Sequence, residues 1–470
     1  MMPISLIAAA VMLSACAVVP HEKFPEPESL EVSKLEANIG NTASVIADEW
    51  WSGLGDPELD RLIQKALKAS PSLTSADARM QAAQAAFEAD RAVLIPQINV
   101  GGQVARQELS RNYIFIPGAM QPFVNYGMVA GSLQWSLDLW GKQKKILKAA
   151  SHRLDGAQAS LAAAKLNLAA TIANVYIDYD HASKFSELAK RDADIRQNLY
   201  QIGEARLAQG LLDDSQLEQL RMDWELSKVK LGQAELSVKM TQHQLAALAG
   251  EGPSWGEQLH APTLKTESLT QALPEKIPSD LLSRRPDLQA LMSNIHASRL
   301  EYTAAKLDYL PSFDLQANFG YQSFGLDTLL TAPSQMFSIG PVFNLPIFDG
   351  GRIDANTTAK EASRNEAVAE YHEALLQALR QSADSIQASK NAKLELSQLS
   401  RAFQGMQSVF NANHQRLKSG IVSQEQLDAI EINLIRQQQS LADGQARLFN
   451  AHVALILSLG GGYQVKGVDH

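Results

Sequence analysis

Two stretches of alternating apolar and polar residues constrain most strongly what this chain can fold into. In residues 312–348 the apolar side chains occupy every second position on both sides of a turn segment, residues 326–334. Residues 97–104 and 129–139 alternate in the same way, on either side of a loop that contains Pro117 and Pro122. A period of two predicts β-hairpins whose strands have one apolar and one polar face. Each predicted strand is long enough to cross a bilayer, which takes about 9–11 residues.

The number of strands limits how such a sheet can enter lipid. Four strands cannot close a barrel that holds water, and an open edge in lipid would leave backbone groups unpaired. We therefore expect further copies of the chain, and three copies would supply twelve strands. The alternative is a soluble antiparallel sheet with its apolar faces beneath helices. That alternative leaves the long helices and the N-terminal motif described below unconnected.

Long helices and an internal repeat occupy most of the remaining chain. From Lys142 to about Gln209 there is no proline, and apolar residues recur every three or four positions. One helix of this length would extend about 100 Å. A second helix is predicted from about Asp213 to Ala249. The pattern then recurs: Pro71 and Pro286 lie 215 residues apart, and Gly210 and Gly420 lie 210 apart. The chain is therefore predicted to be a tandem duplication.

These patterns predict the domain organisation and the fold class. The predicted segments are a signal peptide (1–15), a lipid-anchored N-terminal arm (16–57), a first repeat (58–250, with hairpin 97–139 and long helices 142–249), a linker (251–283), a second repeat (284–460, with hairpin 312–348 and long helices 351–459) and a C-terminal tail (461–470). The predicted fold is mainly α with membrane β. A trimeric barrel of twelve strands, four from each chain, would be continued by a long α-helical barrel.

The N-terminus carries a targeting signal. Its apolar run, residues 4–13, is too short to span a bilayer and precedes Leu13-Ser14-Ala15-Cys16, which contains the chain's one cysteine. Leu-Ser-Ala-Cys resembles the bacterial lipobox, in which the cysteine receives lipid, so Cys16 is the predicted lipidation site. The alternative is an ordinary signal peptide with a chance cysteine. Ala17, in place of the aspartate that retains lipoproteins at the inner membrane, implies the outer membrane.

Composition and motifs speak against several other functions. The net charge is -9 and the chain has no basic cluster, so we expect no nucleic-acid partner. Residues 252–256 fit the G-x-S-x-G pattern, but a predicted helix precedes them where a nucleophile elbow needs a strand. The ten histidines show no metal-ligand spacing, and neither HExxH nor a P-loop occurs. We therefore expect no cofactor, no metal and no enzymatic activity.

Several motifs together resemble a known family of channel proteins. The residues that carry the resemblance are Leu13-Ser14-Ala15-Cys16, Trp51 with Asp56-Pro57-Glu58-Leu59, Arg284-Arg285-Pro286-Asp287-Leu288, Tyr309-Leu310-Pro311, Leu345-Pro346-Ile347-Phe348-Asp349-Gly350-Gly351-Arg352 and its first-repeat counterpart Leu137-Asp138-Leu139-Trp140-Gly141-Lys142. On these residues the chain resembles the TolC-type outer membrane factors, in particular their lipoprotein (NodT-like) branch. The resemblance covers the whole chain.

The resemblance implies a function and partners. It implies a homotrimer with its strand barrel in the outer membrane and its α-helical barrel in the periplasm. The trimer would dock on a periplasmic adaptor and an inner-membrane pump of the resistance-nodulation-division or major-facilitator type. Such a duct passively conducts drugs and toxic solutes to the exterior. The alternative from another class is a periplasmic coiled-coil scaffold or adaptor without a channel. An adaptor would have one helical hairpin between compact β domains, whereas this sequence predicts two hairpins and two strand pairs.

The resemblance also assigns candidate residues at the periplasmic aperture. Glu425 and Asp428 match the family's constricting acidic positions and, three residues apart, share one helix face. Asp213 and Asp214 are the candidates at the other turn. The alternative for all four is that they cap or flank helix N-termini, where carboxylates are favoured. The basic gate residue of some members would fall near Ile421, so a salt-bridge latch at that position is not expected.

Two further groups of residues are assigned to docking and to the barrel lumen. The predicted adaptor-docking residues belong to the two Arg-Leu-x-x-Gly turns: Arg206, Leu207, Gly210, Arg416, Leu417 and Gly420. The alternative is that they are ordinary helix ends. The predicted lumen residues are Asp138, Asp314, Gln316 and Asn318.

Overall fold

The computed structural model describes residues 39–40, 48–110, 123–269, 277–278 and 284–463. The predicted signal peptide, Cys16, most of the N-terminal arm and residues 464–470 lie outside the described residues. The chain divides into two compact units. One includes Arg79–Gln158 and Ala290–Tyr371, and the other includes Ser29–Ala78, Ala159–Gln289 and His372–His470. Each unit draws on both repeats, so the repeats are interleaved in space.

Helices form most of the described chain, and the long ones have the predicted bounds. The helices are α1 (Pro57–Ala69), α2 (Pro71–Ala92), α3 (Lys142–Ala208), α4 (Asp214–Leu248), α5 (Pro253–Gly256), α6 (Pro286–Lys306), α7 (Arg352–Lys418) and α8 (Gln424–Ser458). The duplication is visible in their lengths, because α3 and α7 have 67 residues each and α4 and α8 have 35 each.

The strands form two sheets. The strands are β1 (Ile39–Gly40), β2 (Gln97–Glu108), β3 (Phe123–Ser136), β4 (Ile277–Pro278), β5 (Ser312–Ser323) and β6 (Gln335–Asn344). The two short strands β1 and β4 pair in parallel. The other four form an antiparallel sheet in the order β2-β3-β5-β6, so the two predicted hairpins are joined through β3 and β5. Strands β2 and β6 are its edges.

The sheet separates apolar from polar side chains, as the alternation predicts. Along one face the register aligns Val100, Gly131, Phe319 and Phe337. Val100 is 79 % exposed and Phe337 is 69 % exposed, so the rest of the described chain contacts this face at its ends only. The alternative of a soluble sheet with its apolar face beneath helices is therefore wrong for this unit. Uncovered apolar side chains of this extent are typical of a surface that meets lipid or a partner.

The strands end earlier than the alternation suggested. Strand β6 ends at Asn344, and Ile347 and Phe348 beyond it are more than nine-tenths exposed. Asn344 pairs with Ser312, the first residue of β5, so β5 offers no further residue for pairing beyond Asn344. Strand β3 ends at Ser136, before the predicted limit at residue 139.

The second unit has a polar junction within its apolar core. Asp56 is buried, caps α1 by accepting from the Glu58 amide at 2.9 Å, and also accepts from the Tyr176 hydroxyl at 2.9 Å and the Thr263 amide at 3.0 Å. Burial, with Asp56 adjacent, raises the pKa of Tyr176. This junction joins the start of α1, the middle of α3 and the linker, which explains why the sequence has an aspartate directly before Pro57.

Arg285 makes a second polar junction in the same unit. Its guanidinium pairs with the Asp287 carboxylate, with one contact at 2.7 Å, and also donates to the Gln381 side chain at 3.1 Å. Burial works against ionisation of Asp287, but the hydrogen bonds and charge of Arg285 outweigh it and lower the pKa of Asp287. The Arg-Arg-Pro-Asp motif thus anchors the start of α6.

Candidate functional site: the helix turns and the polar sheet face

Both long-helix hairpins turn through the same backbone geometry. After α3, the Leu211 amide donates to the Arg206 carbonyl at 2.9 Å and the Gly210 amide to the Leu207 carbonyl at 2.9 Å. After α7, Ile421 and Gly420 repeat these bonds to Arg416 and Leu417 at 2.9 Å each. Gly210 and Gly420 have φ of +71° and +70°. These bonds define Schellman motifs, which require a residue that tolerates left-handed backbone.

The helices that follow the turns begin with capping boxes. Asp213 accepts from the Gln216 amide at 2.8 Å, and the Gln216 side chain accepts in return from the Asp213 amide. Ser423 and Gln426 form the same reciprocal pair before α8. The Asp213 carboxylate therefore acts as the N-cap of α4, and Asp214 is the first residue of that helix. These positions agree with the capping alternative stated above for this turn.

An ion pair links the two repeats close to the turns. Nη1 of Arg206, near the end of α3, donates to both carboxylate oxygens of Glu425 at 2.6 and 2.7 Å. Glu425 lies in the first turn of α8. The pair therefore joins the end of α3, the first helix of one hairpin, to the start of α8, the second helix of the other. Among the described residues Arg416, the counterpart of Arg206, has no ion-pair partner. The two turns thus have the same backbone conformation but different side-chain contacts.

Asp428 lies one turn further along α8 and is 3 % exposed. Its oxygens accept from the Gln424 side-chain amide at 2.7 Å and from the Asn198 side-chain amide of α3 at 3.3 Å. Burial raises the pKa of Asp428, the two amide hydrogen bonds work against that rise, and nearby Glu431 and Glu425 add to it. Glu425 and Asp428 therefore lie together, as their spacing predicted, and both contact α3 of their own chain.

The structure reveals two residues at the turn tips that the sequence reasoning did not assign. Leu211 is 62 % exposed and Ile421 is 70 % exposed, and they occupy the same position after the turn glycines in the two repeats. The signal that could have identified them is the repeat itself, which places an apolar residue after each Arg-Leu-x-x-Gly segment. Two exposed apolar side chains at matching positions are suited to contact with a partner.

The polar face of the sheet carries rows of amide and hydroxyl side chains. The register aligns Asn99, Ser132, Asn318 and Ser338 in one row, and Asn318 donates to the Ser338 hydroxyl at 3.4 Å. In the adjacent row Gln316 lies opposite Gln134. Asp314 lies near the start of β5, opposite Ser136 near the end of β3. Three of the four predicted lumen residues therefore lie on one polar face.

Asp138 differs from the other three. It lies beyond the end of β3, and its two carboxylate oxygens accept from the Gln143 and Lys144 amides at 2.9 Å each. Asp138 therefore stabilises the start of α3. Its assignment to the strand was wrong because the alternation continues past the last ladder hydrogen bond. Asp349 plays the same part before α7, accepting from Gly351 and Ile353.

The other motifs singled out in the sequence are the lipobox cysteine and the G-x-S-x-G segment. Cys16 lies outside the described residues. The G-x-S-x-G segment forms α5, which follows α4, so a helix precedes Ser254 where a nucleophile elbow requires a strand. Among the described residues no cluster of three or more metal-ligating side chains occurs.

Comparison with known proteins identifies the family. The family described as outer membrane efflux protein matches residues 62–251 and again 277–461, which correspond to the two repeats. The chain belongs to the outer membrane efflux protein family. It is therefore an outer-membrane efflux channel with a TolC-like fold, as the sequence resemblance implied.

Individual relatives agree with this assignment over nearly the whole chain. The multidrug resistance outer membrane protein MdtP of Escherichia coli O6:H1 is 29 % identical, with 99 % of this chain and 97 % of MdtP covered. The outer membrane protein OprJ of Pseudomonas aeruginosa is 26 % identical, with 98 % and 96 % covered. Among solved structures, VceC of Vibrio cholerae has a TM-score of 0.79 and 28 % identity, covering 89 % of this chain and all of that one.

Proposed function

We propose that this outer membrane efflux protein works as a homotrimer that conducts drugs and other toxic solutes passively out of the cell. An inner-membrane pump of the resistance-nodulation-division or major-facilitator type and a periplasmic adaptor would deliver these solutes. The observation that carries the proposal is the sheet, which has an uncovered apolar face and two free edges. The printed names of MdtP (multidrug resistance) and of FusA of Burkholderia cepacia (fusaric acid resistance) support drug-like cargo.

The free edges support assembly in threes. An edge strand in lipid leaves a row of backbone groups without hydrogen bonds, which only closure of the sheet removes. Pairing β6 of one chain with β2 of the next closes twelve strands with rotational symmetry. The polar rows that contain Asn318 and Gln316 would then face water inside the barrel, and the apolar rows would face lipid.

A stripe on α4 supports the same assembly. Its members are all more than four-tenths exposed and follow heptad spacing: Met222, Leu226, Val229, Leu236 and Met240. Apolar residues alternating by four and three along a helix are typical of a seam against another helix. Within the described residues nothing covers this stripe, so a second copy of the chain is the partner that fits.

The helix turns are proposed as the adaptor-docking ends. Arg206, Leu207 and Gly210, with their counterparts Arg416, Leu417 and Gly420, set the backbone of each turn. Leu211 and Ile421 provide exposed apolar contacts at the tips. An adaptor with apolar helical tips fits this surface, and charged substitutions at Leu211 and Ile421 should abolish co-purification with it while leaving the trimer intact.

We propose that Glu425 narrows the periplasmic aperture and that Asp428, buried beside it against α3, adds to the negative potential there. Threefold symmetry would repeat these carboxylates as rings, which attract cations. Asp213 and Asp214 would contribute charge at the same end, in addition to their part at the start of α4. The double variant Glu425→Gln with Asp428→Asn should weaken block by divalent cations in planar bilayers. Unchanged block would contradict the acidic ring.

Cys16 is proposed to anchor the mature N-terminus in the outer membrane through lipid. Metabolic labelling with palmitate should mark the wild-type protein, and the Cys16→Ser variant should take up no label. Labelling that persists in the variant would exclude this site.

The decisive experiment is fractionation followed by electrophoresis with and without heating. The proposal predicts outer-membrane trimers that dissociate on heating, and restored drug resistance when the chain is expressed with its pump and adaptor in a strain lacking its own duct. The alternative, a periplasmic scaffold or adaptor, predicts protein in the soluble periplasmic fraction.

A further inference from the structure

The internal repeat predicts two equivalent contacts between long helices, which we call seams. The described part of a single chain contains one of the two. Helix α7 is the counterpart of α3, and α8 is the counterpart of α4, at an offset of 210 residues. Within the chain α3 contacts α8 through polar pairs between His181 and Arg206. The repeat therefore predicts a matching seam between α7 and α4, and the described chain does not contain one.

Matching residues of α8 and α4 differ in exposure, and this difference shows that α4 lacks a neighbouring helix. Ile432 of α8 is 8 % exposed, whereas Met222 at the matching position of α4 is 48 % exposed. Asp428 is buried, whereas its counterpart Glu218 is exposed. Because matching positions of the repeats differ in this way, α4 lacks the neighbour that α3 provides for α8.

We propose that α7 of one chain packs against α4 of the next copy in the register of the α3–α8 seam, and that this boundary lacks the ion pairs of its counterpart. The aperture then widens at the subunit boundaries, while each α3–α8 seam stays closed. This inference rests on the trimer proposed above.

Polar side-chain pairs join α3 to α8 within the chain. The pairs include Arg206 with Glu425 at 2.6 Å, Asn198 with Asp428 at 3.3 Å, Arg191 with Glu431 at 3.0 Å, Lys184 with Gln445 at 3.2 Å and His181 with Asp443 at 2.7 Å. Moving each pair by the repeat offset gives the boundary pairs, with a prime for the next copy: Arg416 with Ser215′, Ser408 with Glu218′, Arg401 with Arg221′, Leu394 with Glu235′ and Asn391 with Gln233′.

The boundary between α7 and α4 of the next copy lacks the complementary charges that hold the α3–α8 seam together. Arg416 meets a serine where Arg206 meets a glutamate. Arg401 meets another arginine where Arg191 meets Glu431, so like charges replace an ion pair. Within the described residues neither Arg401 nor Arg416 has an ion-pair partner in its own chain. The exposed stripe of α4 and the exposed Leu394 and Val409 of α7 give the boundary mainly apolar contacts, which hold the helices less firmly than the ion pairs of the α3–α8 seam.

Chemical cross-linking tests the register. In the double variant Arg416→Cys with Ser215→Cys, a short bis-maleimide should join neighbouring chains into covalent dimers and trimers. The matched control, Arg206→Cys with Glu425→Cys, should give an internal link and a monomer-sized band. Wild-type protein treated in the same way reports any reaction at its single cysteine. Heat-dissociable trimers with no interchain product would overturn this inference and leave the proposed trimer standing, whereas the absence of trimers would contradict the proposed function itself.

Bilayer conductance tests which seam opens. Ser215→Glu provides the carboxylate that Arg416 lacks, and Ser215→Gln is the uncharged control of similar size. Ser215→Glu should lower the open fraction of the channel about two- to fivefold relative to Ser215→Gln, the range expected for one partly exposed ion pair. Adding Arg416→Ala should restore the open fraction. Equal conductance of the two Ser215 variants would contradict opening at the boundary.

Discussion

At the scale of single residues, the buried carboxylate of Asp428 makes stability depend on pH. Its pKa in the folded protein is raised, so above its ordinary value of 3.8 the unfolded chain ionises first and ionisation favours unfolding. Both partners of Asp428 are side-chain amides, which can turn their oxygens toward an asparagine. Removing the charge should therefore stabilise the protein at neutral pH.

We predict that Asp428→Asn raises the thermal midpoint at pH 7 and leaves it unchanged near pH 2, where both folded and unfolded carboxyl groups are protonated. Circular dichroism of detergent-solubilised protein measures both midpoints. Asp213→Asn is the control, because asparagine caps helices as well as aspartate and its midpoint should not shift at either pH. An equal gain at both pH values for Asp428→Asn would point to packing instead of charge.

At the scale of elements, the two turns are built alike and should respond alike to substitution. Gly210 and Gly420 have positive φ, and a Cβ at either position would meet no atom within 4 Å. The cost of alanine is therefore that of the left-handed backbone alone, about 1–2 kcal/mol. Gly210→Ala and Gly420→Ala should lower the free energy of unfolding by similar amounts in denaturant titrations. Gln209→Ala, next to the first glycine, should change it little, and a large difference between the two glycine variants would mean that the turns are not equivalent.

The faces of β5 give a second prediction at this scale. Phe319→Lys puts a charge on the apolar face, which costs about 2–4 kcal/mol at mid-bilayer. It should prevent heat-dissociable trimers from forming. Its neighbour variant Asn318→Lys changes the polar face, so trimers should assemble and ion selectivity in planar bilayers should shift toward anions. Assembly of both variants would argue against a lipid-facing row at Phe319.

Local signals in the sequence predicted the elements well, and long-range contacts account for what they missed. Helix ends were predictable because glycines and capping residues act within a few positions, as at Gly210 and Asp213. The period of two in β5 predicted that Asp314, Gln316 and Asn318 lie on one polar face. The β3–β5 pairing could not be read from either hairpin, since it joins segments from different repeats. The Arg206–Glu425 pair joins residues 219 positions apart, so no local pattern could predict it.

At the scale of the whole molecule, assembly depends on the α4 stripe as well as on the sheet edges. Val229→Asp places a charge within the apolar stripe and should reduce the fraction of heat-stable trimer on gels. Lys230→Asp, one position away and outside the stripe, is the matched control and should leave the trimer fraction near that of wild type. A normal trimer fraction for Val229→Asp would exclude the stripe from the subunit interface.

The identical turns at the ends of α3 and α7 have an evolutionary consequence. A half-length ancestor with one such hairpin would have needed six copies around the axis, and every position would have had to suit the same two neighbours. In a chain that carries two copies, twice as many positions can vary independently. The arginine of one turn can then face a carboxylate, as Arg206 faces Glu425, while its counterpart Arg416 faces none within the described residues.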